Sequence, residues 1–188
     1  MTPIRAETPP VEPVSVAELR RYLRLDADDG GAEDDILARL LAAARTSLET
    51  EARRVLVPGR YRIVLDRWPA EGWLPLPLSP LVGLVRAGLA APDGTVTDLP
   101  AGTVRPGPDP VEAPALQFVG DLPDLVGRSV VIEVTAGFGG DGPPLPEDLR
   151  LAILRLAAAG YEHRGDEPDA DPTALRRLAA SSRRLRLR

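Results

Sequence analysis

The chain has 188 residues and a formal net charge of −5; its 23 basic residues are all arginine, and it contains no cysteine and one histidine. The missing thiols exclude disulfides, thiolate metal sites and cysteine catalysis. The missing lysines exclude Schiff-base chemistry and a complete Walker A loop, and a lone imidazole cannot make a histidine-paired zinc site. With 44% hydrophobic but 4% aromatic residues, any core must be built from Leu, Val, Ile and Ala, and the length fits one domain.

Proline, which costs about 3 kcal/mol inside a helix, divides the chain. Four prolines precede Ser15, none lies between Val14 and Val57, fifteen crowd Pro58 to Pro146, and two follow. The proline-free stretches 14–57 and 147–167 should therefore hold the main helices. Ser15 with Glu18 is a capping box, and Val14 with Leu19 can form its hydrophobic staple. Val16, Leu19 and Leu23 give the first helix its apolar stripe, and Asp26-Ala-Asp-Asp-Gly-Gly31 breaks it. A second helix starts among Glu33, Asp34 and Asp35, whose charges suit the helix dipole. Its stripe is Ile36, Leu37, Leu40, Leu41, Ala44, Leu48 and Val55, with Arg39, Arg45, Glu49, Arg53 and Arg54 mostly on the other side.

From Arg60 the period becomes two. Tyr61, Ile63 and Leu65 alternate with Arg60, Arg62, Val64 and Asp66, the pattern of a half-buried strand. Leu74-Pro-Leu-Pro-Leu78 also alternates, but its prolines confine it to a sheet edge or an extended arm. Val82 to Ala90 is a weaker strand, Pro92-Asp-Gly94 a turn into Thr95 to Leu99, and 100–114, with five prolines, an irregular loop. Arg128 to Thr135 is the clearest strand and Gly137 to Pro144 a turn. A last helix begins at Pro146 as its first residue, carries Leu149, Ala152, Ile153, Leu156, Ala157, Gly160 and Tyr161, and closes at His163, Arg164 and Gly165. The expectation is an α+β, mainly helical fold: two N-terminal helices, a small mainly antiparallel sheet, a closing helix and an extended C-terminal tail.

Three motifs invite chemistry and supply little. Gly137-Phe-Gly-Gly-Asp-Gly142 satisfies G-x-G-x-x-G, but the prolines after it remove amide donors, Asp141 sits where a phosphate would, and no second parallel strand follows, so it reads as a turn. Asp26, Asp28 and Gly31 match a calcium loop whose twelfth ligand would be Leu37, so helix stop and start is the better reading. His163 fits a helix end, where the dipole favours a cation. No catalytic, cofactor or metal set can be assembled, so an enzyme is not expected.

The charge is uneven. Residues 173–188 carry six arginines and no acid, leaving −11 on residues 1–172. In that tail Arg184-Leu-Arg-Leu-Arg188 alternates strictly. It could add as a strand to a partner's sheet edge, lay its leucines in a groove, remain a solvated basic end, or contact nucleic acid without sequence preference. A nucleic-acid-associated module using these arginines is thus an alternative function. No apolar run approaches the ~18 residues of a membrane span. Met1 to Pro13 has none of a signal peptide's features, so a soluble protein assembled in the cytoplasm, without a membrane partner, is expected.

Two stretches, Val14-SVAELRRYLRLDADDGGAEDDILARLLAAARTSLETEARRVL to Leu56 and Val134-TAGFGGDGPPLPEDLRLAILRLAAAGYEHRG to Gly165, together with the closing Arg-Leu-Arg, resemble the head-tail connector (adaptor) family of long-tailed DNA bacteriophages and gene transfer agents. The resemblance implies a non-enzymatic virion protein at the head-tail neck. It would form a homo-oligomeric ring, usually dodecameric, between the portal protein and the stopper or tail, around the channel through which double-stranded DNA passes. The resemblance covers residues 14–165 and the tail but not 92–114 or the N-terminus; the expected division is a flexible proline-rich arm over 1–13, a single connector domain over 14–165 and a basic tail over 166–188. In the tail, Arg176, Arg177, Arg183, Arg184, Leu185, Arg186, Leu187 and Arg188 are the candidate portal contacts.

Overall fold

The capping box written at Ser15 is realised in the computed structural model, which describes residues 2–6, 11–25 and 31–163. In chain order the elements are β1 (Ile4–Arg5), α1 (Val16–Leu23), α2 (Asp34–Ala52), β2 (Gly59–Leu65), β3 (Trp73–Pro75), β4 (Leu81–Ala90), β5 (Val96–Asp98), β6 (Val104–Pro106), β7 (Ala115–Phe118), β8 (Ser129–Ala136) and α3 (Glu147–Glu162). They fall into two compact units. Residues 11–57 and 144–163 hold the three helices, and residues 2–6 and 58–143 hold the eight strands.

In the helical unit, Ser15 Oγ accepts the Glu18 amide at 3.2 Å while the Glu18 carboxylate accepts the Ser15 amide at 3.2 Å. This satisfies two donors that a helix start leaves open. The helix stops at Leu23, ahead of the acidic run, because Arg24 turns left-handed at φ 57° and its amide reaches back to the Arg20 and Arg21 carbonyls. Along α2 the buried stripe is Leu37, Leu41, Ala44, Arg45, Leu48 and Ala52. Two expectations change here: Ile36 is exposed and Arg45 is buried. Pro146 caps α3 from outside rather than opening it. Gly160 lets α3 approach α2, since a Cβ there would lie 3.0 Å from a Leu40 methyl.

The expected mainly helical balance is corrected: eight strands form two wholly antiparallel sheets, ordered β1-β2-β8-β4-β5 and β3-β7-β6. The reason lies in how proline was read. It forbids helix interiors but tolerates sheet edges, and Pro75 on β3 and Pro106 on β6 both sit on edge strands. The expected edge placement of Leu74 to Leu78 therefore holds for its first residues, whereas the loop expected over 100–114 contains β6. β8, with its β-branched run, takes the central position. Val130, Ile132, Val134 and Ala136 on its inner face are fully buried, each large apolar side chain contributing roughly 1.5–3 kcal/mol. Trp68 closes this core edge-on to Phe118, at 5.5 Å between ring centroids, with its indole N–H on the Pro123 carbonyl at 2.9 Å. Among the described residues no helix is long and apolar enough to cross a membrane.

Candidate assembly surfaces

The candidate portal contacts Arg176 to Arg188 lie outside the described residues, as do positions 26–30 of the calcium-like run. Its twelfth position, Leu37, is fully buried. The glycine loop has a conformational explanation. Gly137, Gly139 and Gly140 take φ of 123°, 82° and 60°, which L-residues rarely adopt, and a Cβ on Gly142 would run into the Gly137 carbonyl. The amides of Gly137, Gly139 and Gly142 already donate to the carbonyls of Pro80, Pro143 and Gly139 at 2.9, 2.8 and 3.0 Å. The loop is thus a self-satisfied turn. His163 sits at the end of α3 as expected, its Nδ1 2.9 Å from the Ala159 carbonyl.

Arginine organises the helical unit from within. Arg45 donates to Glu12 through Nε and to Glu49 through Nη1, both at 2.7 Å, and the other Glu49 oxygen accepts the Leu56 amide at 2.8 Å. Burial disfavours the Arg45 charge, but its two carboxylates outweigh that and hold its pKa above the ordinary value. Arg150 on α3 donates to both oxygens of Glu18 at 2.7 Å and to the Pro13 carbonyl at 2.9 Å. These bonds hold the Glu18 carboxyl below the usual range against the opposing effect of partial burial, with the Ser15 amide assisting. Tyr161 on α3 donates to Glu33 at the start of α2. Residues 12 and 13, which lead into α1, are therefore gripped by two arginines.

No charged side chain among the described residues of the sheet unit is buried. On the five-stranded sheet Arg62 stands opposite Glu133, which stands opposite Arg86, and Arg86 pairs with Asp98 on β5. Charges of alternating sign thus cross four strands, with Ile4 and Val64 exposed beside them. On the three-stranded sheet, Trp73, Gln117 and Arg105 form one cross-strand row. Trp73 is 40% exposed and neighbours Gly107, where a Cβ would lie 3.3 Å from its indole. A half-exposed aromatic ring and a cation in one cross-strand row, with Gln117 between them, is a composition common at interface centres. Sequence reasoning missed this row because Gln117 and Arg105 meet Trp73 only through pairing across the sheet.

One edge is shaped for an arginine. β1 adds to β2 in the register Ile4↔Arg62 and Arg5↔Tyr61, extended by the Ala6 amide on the Arg60 carbonyl at 2.8 Å. The Arg5 guanidinium donates to the Pro58 carbonyl at 2.9 Å and lies 5.5 Å from the Tyr61 ring centroid. Gly59 makes the room: a Cβ there would fall 2.6 Å from Arg5 Nη2 and 2.9 Å from Nε. The flexible arm expected over 1–13 thus contains β1, whose two residues carry no periodic signal.

Likeness to solved structures extends over the whole chain. A chain from the neck of an empty gene transfer agent particle, computed with C6 symmetry, is 30% identical, covering 100% of this chain and 97% of its own, with a TM-score of 0.84. A chain of the virion of a native gene transfer agent particle is 32% identical at the same coverage, with a TM-score of 0.83. One from the neck of a native particle with C12 symmetry is 30% identical with a TM-score of 0.78. No protein-family model matches the chain, and no curated protein does. These neighbours are components of gene transfer agent particles. The chain belongs to the family of gene transfer agent neck proteins.

Proposed function

We propose that the chain is a head-tail adaptor: a subunit that assembles as a ring, with twelve copies the expected number, at the particle neck between portal and stopper. The observation that carries this reading is the end-to-end likeness, at 30% identity, to a neck chain in a particle treated with C12 symmetry. In this reading the helical and sheet units act as one connector domain over 14–165, and the tail is the anchor. Arg176, Arg177, Arg183, Arg184, Arg186 and Arg188, with Leu185 and Leu187 between them, engage the portal. The acidic body, −11 before the tail, faces the DNA channel, where like charge lets the duplex slide without sticking.

The test is a truncation. A chain lacking residues 173–188 should stay folded and soluble but no longer co-purify with the portal ring, and equal portal binding by the truncated chain would defeat the anchor. The channel reading is checked by gel shift at low salt. Binding there, falling with a log-log slope of about −0.9 per phosphate contacted, would favour the nucleic-acid module instead.

A further inference from the structure

The β2 edge has the features of a peptide-recognition site. It offers backbone groups at Arg60 to Arg62, a carbonyl acceptor at Pro58, an aromatic face at Tyr61 and a notch at Gly59 that a methyl group would fill. What occupies it is a five-residue segment, 2–6, recognised by strand addition with a side-chain pocket for its arginine. That segment belongs to the sheet unit. Only five positions, 7–11, separate it in sequence from Glu12 and Pro13, which Arg45 and Arg150 hold in the helical unit. A two-residue edge strand only a few positions in sequence from a point held in another unit is the kind of element that identical copies can exchange.

We propose that segment 2–6 is a strand-exchange arm: in the assembled ring, Ile4 and Arg5 of one copy add to the β2 edge of the next copy, with Arg5 seated over its Gly59. The inference rests on the ring reading above. A contact of arm to edge is head-to-tail, the kind that closes into a ring when its rotation matches the symmetry. It joins neighbours through the same hydrogen bonds that the single chain makes with itself, so the exchanged and unexchanged states differ little in enthalpy. Proximity in the ring then selects between them.

The absence of cysteine makes the test clean. Ile4→Cys with Arg62→Cys places thiols at directly opposed antiparallel positions, where Cα atoms lie about 4.5–5.5 Å apart, within disulfide range. Both native side chains are exposed, so the substitutions should fold. Full-length chain is assembled, sized by native mass spectrometry, oxidised, and run without reductant. Exchange gives a ladder of covalent multimers that collapses on reduction. Rings in which the disulfide closes only within each copy, or does not form, overturn the exchange while leaving the ring reading intact. A wild-type chain that forms no ring, alone or on the portal, overturns the ring reading and the exchange with it.

Discussion

The helical unit and the sheet unit use the same side chain in opposite ways. In the helices, Arg45 and Arg150 turn inward, satisfy two or three acceptors each and tie residues 12 to 18 to α2 and α3. In the sheets, Arg62, Arg86 and Arg105 stand on outward faces beside Val64 and Trp73, where they meet water or a neighbour. A chain without lysine has one cation for both tasks, and guanidinium suits both because it forks onto carboxylates and tolerates burial. The difference teaches that charge in the helical unit is used inside the fold, whereas on the sheet faces it stands at the surface, paired across strands as Arg86 is with Asp98.

Removing an inward arginine should have the largest effect. Arg45→Met leaves Glu12 and Glu49 facing one another, and should destabilise by about 3 kcal/mol in chemical denaturation. Arg62→Met, outward on β2, should stay within about 0.5 kcal/mol. Equal costs would erase the distinction between the units.

Arg150→Met comes next, at about 1–2 kcal/mol because the pair is partly solvated, and it carries a pH signature. The Glu18 carboxyl is held low when folded, so its contribution is fully present above the ordinary Glu value of about 4.3 and is lost as pH falls through the folded value. The gap between wild type and variant should therefore be wide at pH 6 and shrink as pH falls below the ordinary Glu range. A gap unchanged with pH would show that Arg150 acts through packing alone.

Ser15→Ala should cost about 1 kcal/mol, the usual weight of an N-cap, read as a lowered thermal midpoint. Trp73→Ala should change stability little, by roughly 0.5 kcal/mol for a half-exposed position, yet reduce ring or particle assembly measured by sedimentation. A large stability loss with assembly intact would make the tryptophan a core residue rather than a contact.

Much of this was legible along the chain. The capping box, the acidic start of α2, the alternation of β2, the turn at Pro92 to Gly94 and the central strand β8 are local patterns, and each is in place. The glycine loop was correctly read as a turn, because the prolines behind it signalled that no helix amides would converge there. β6 and β7 were missed: three and four residues rich in Pro, Gly and Ala neighbours carry no period. The rows Trp73–Gln117–Arg105 and Arg62–Glu133–Arg86 were missed because their members lie up to 71 positions apart in sequence and meet only through sheet register.

What the sequence by itself determined is where helices cannot run, where they begin, and which strand is most apolar, since proline's locked φ, a side chain that caps its own backbone, and periodic apolarity act within a few residues. What only the tertiary structure decided is direction and partnership. Arg45 lies on the face first given to solvent, but Glu12 and Glu49 make burial affordable there. Arg5 becomes a strand residue because Gly59, 54 positions later, leaves a guanidinium-sized space. Both depend on side chains brought together by the fold, and no local pattern encodes that meeting.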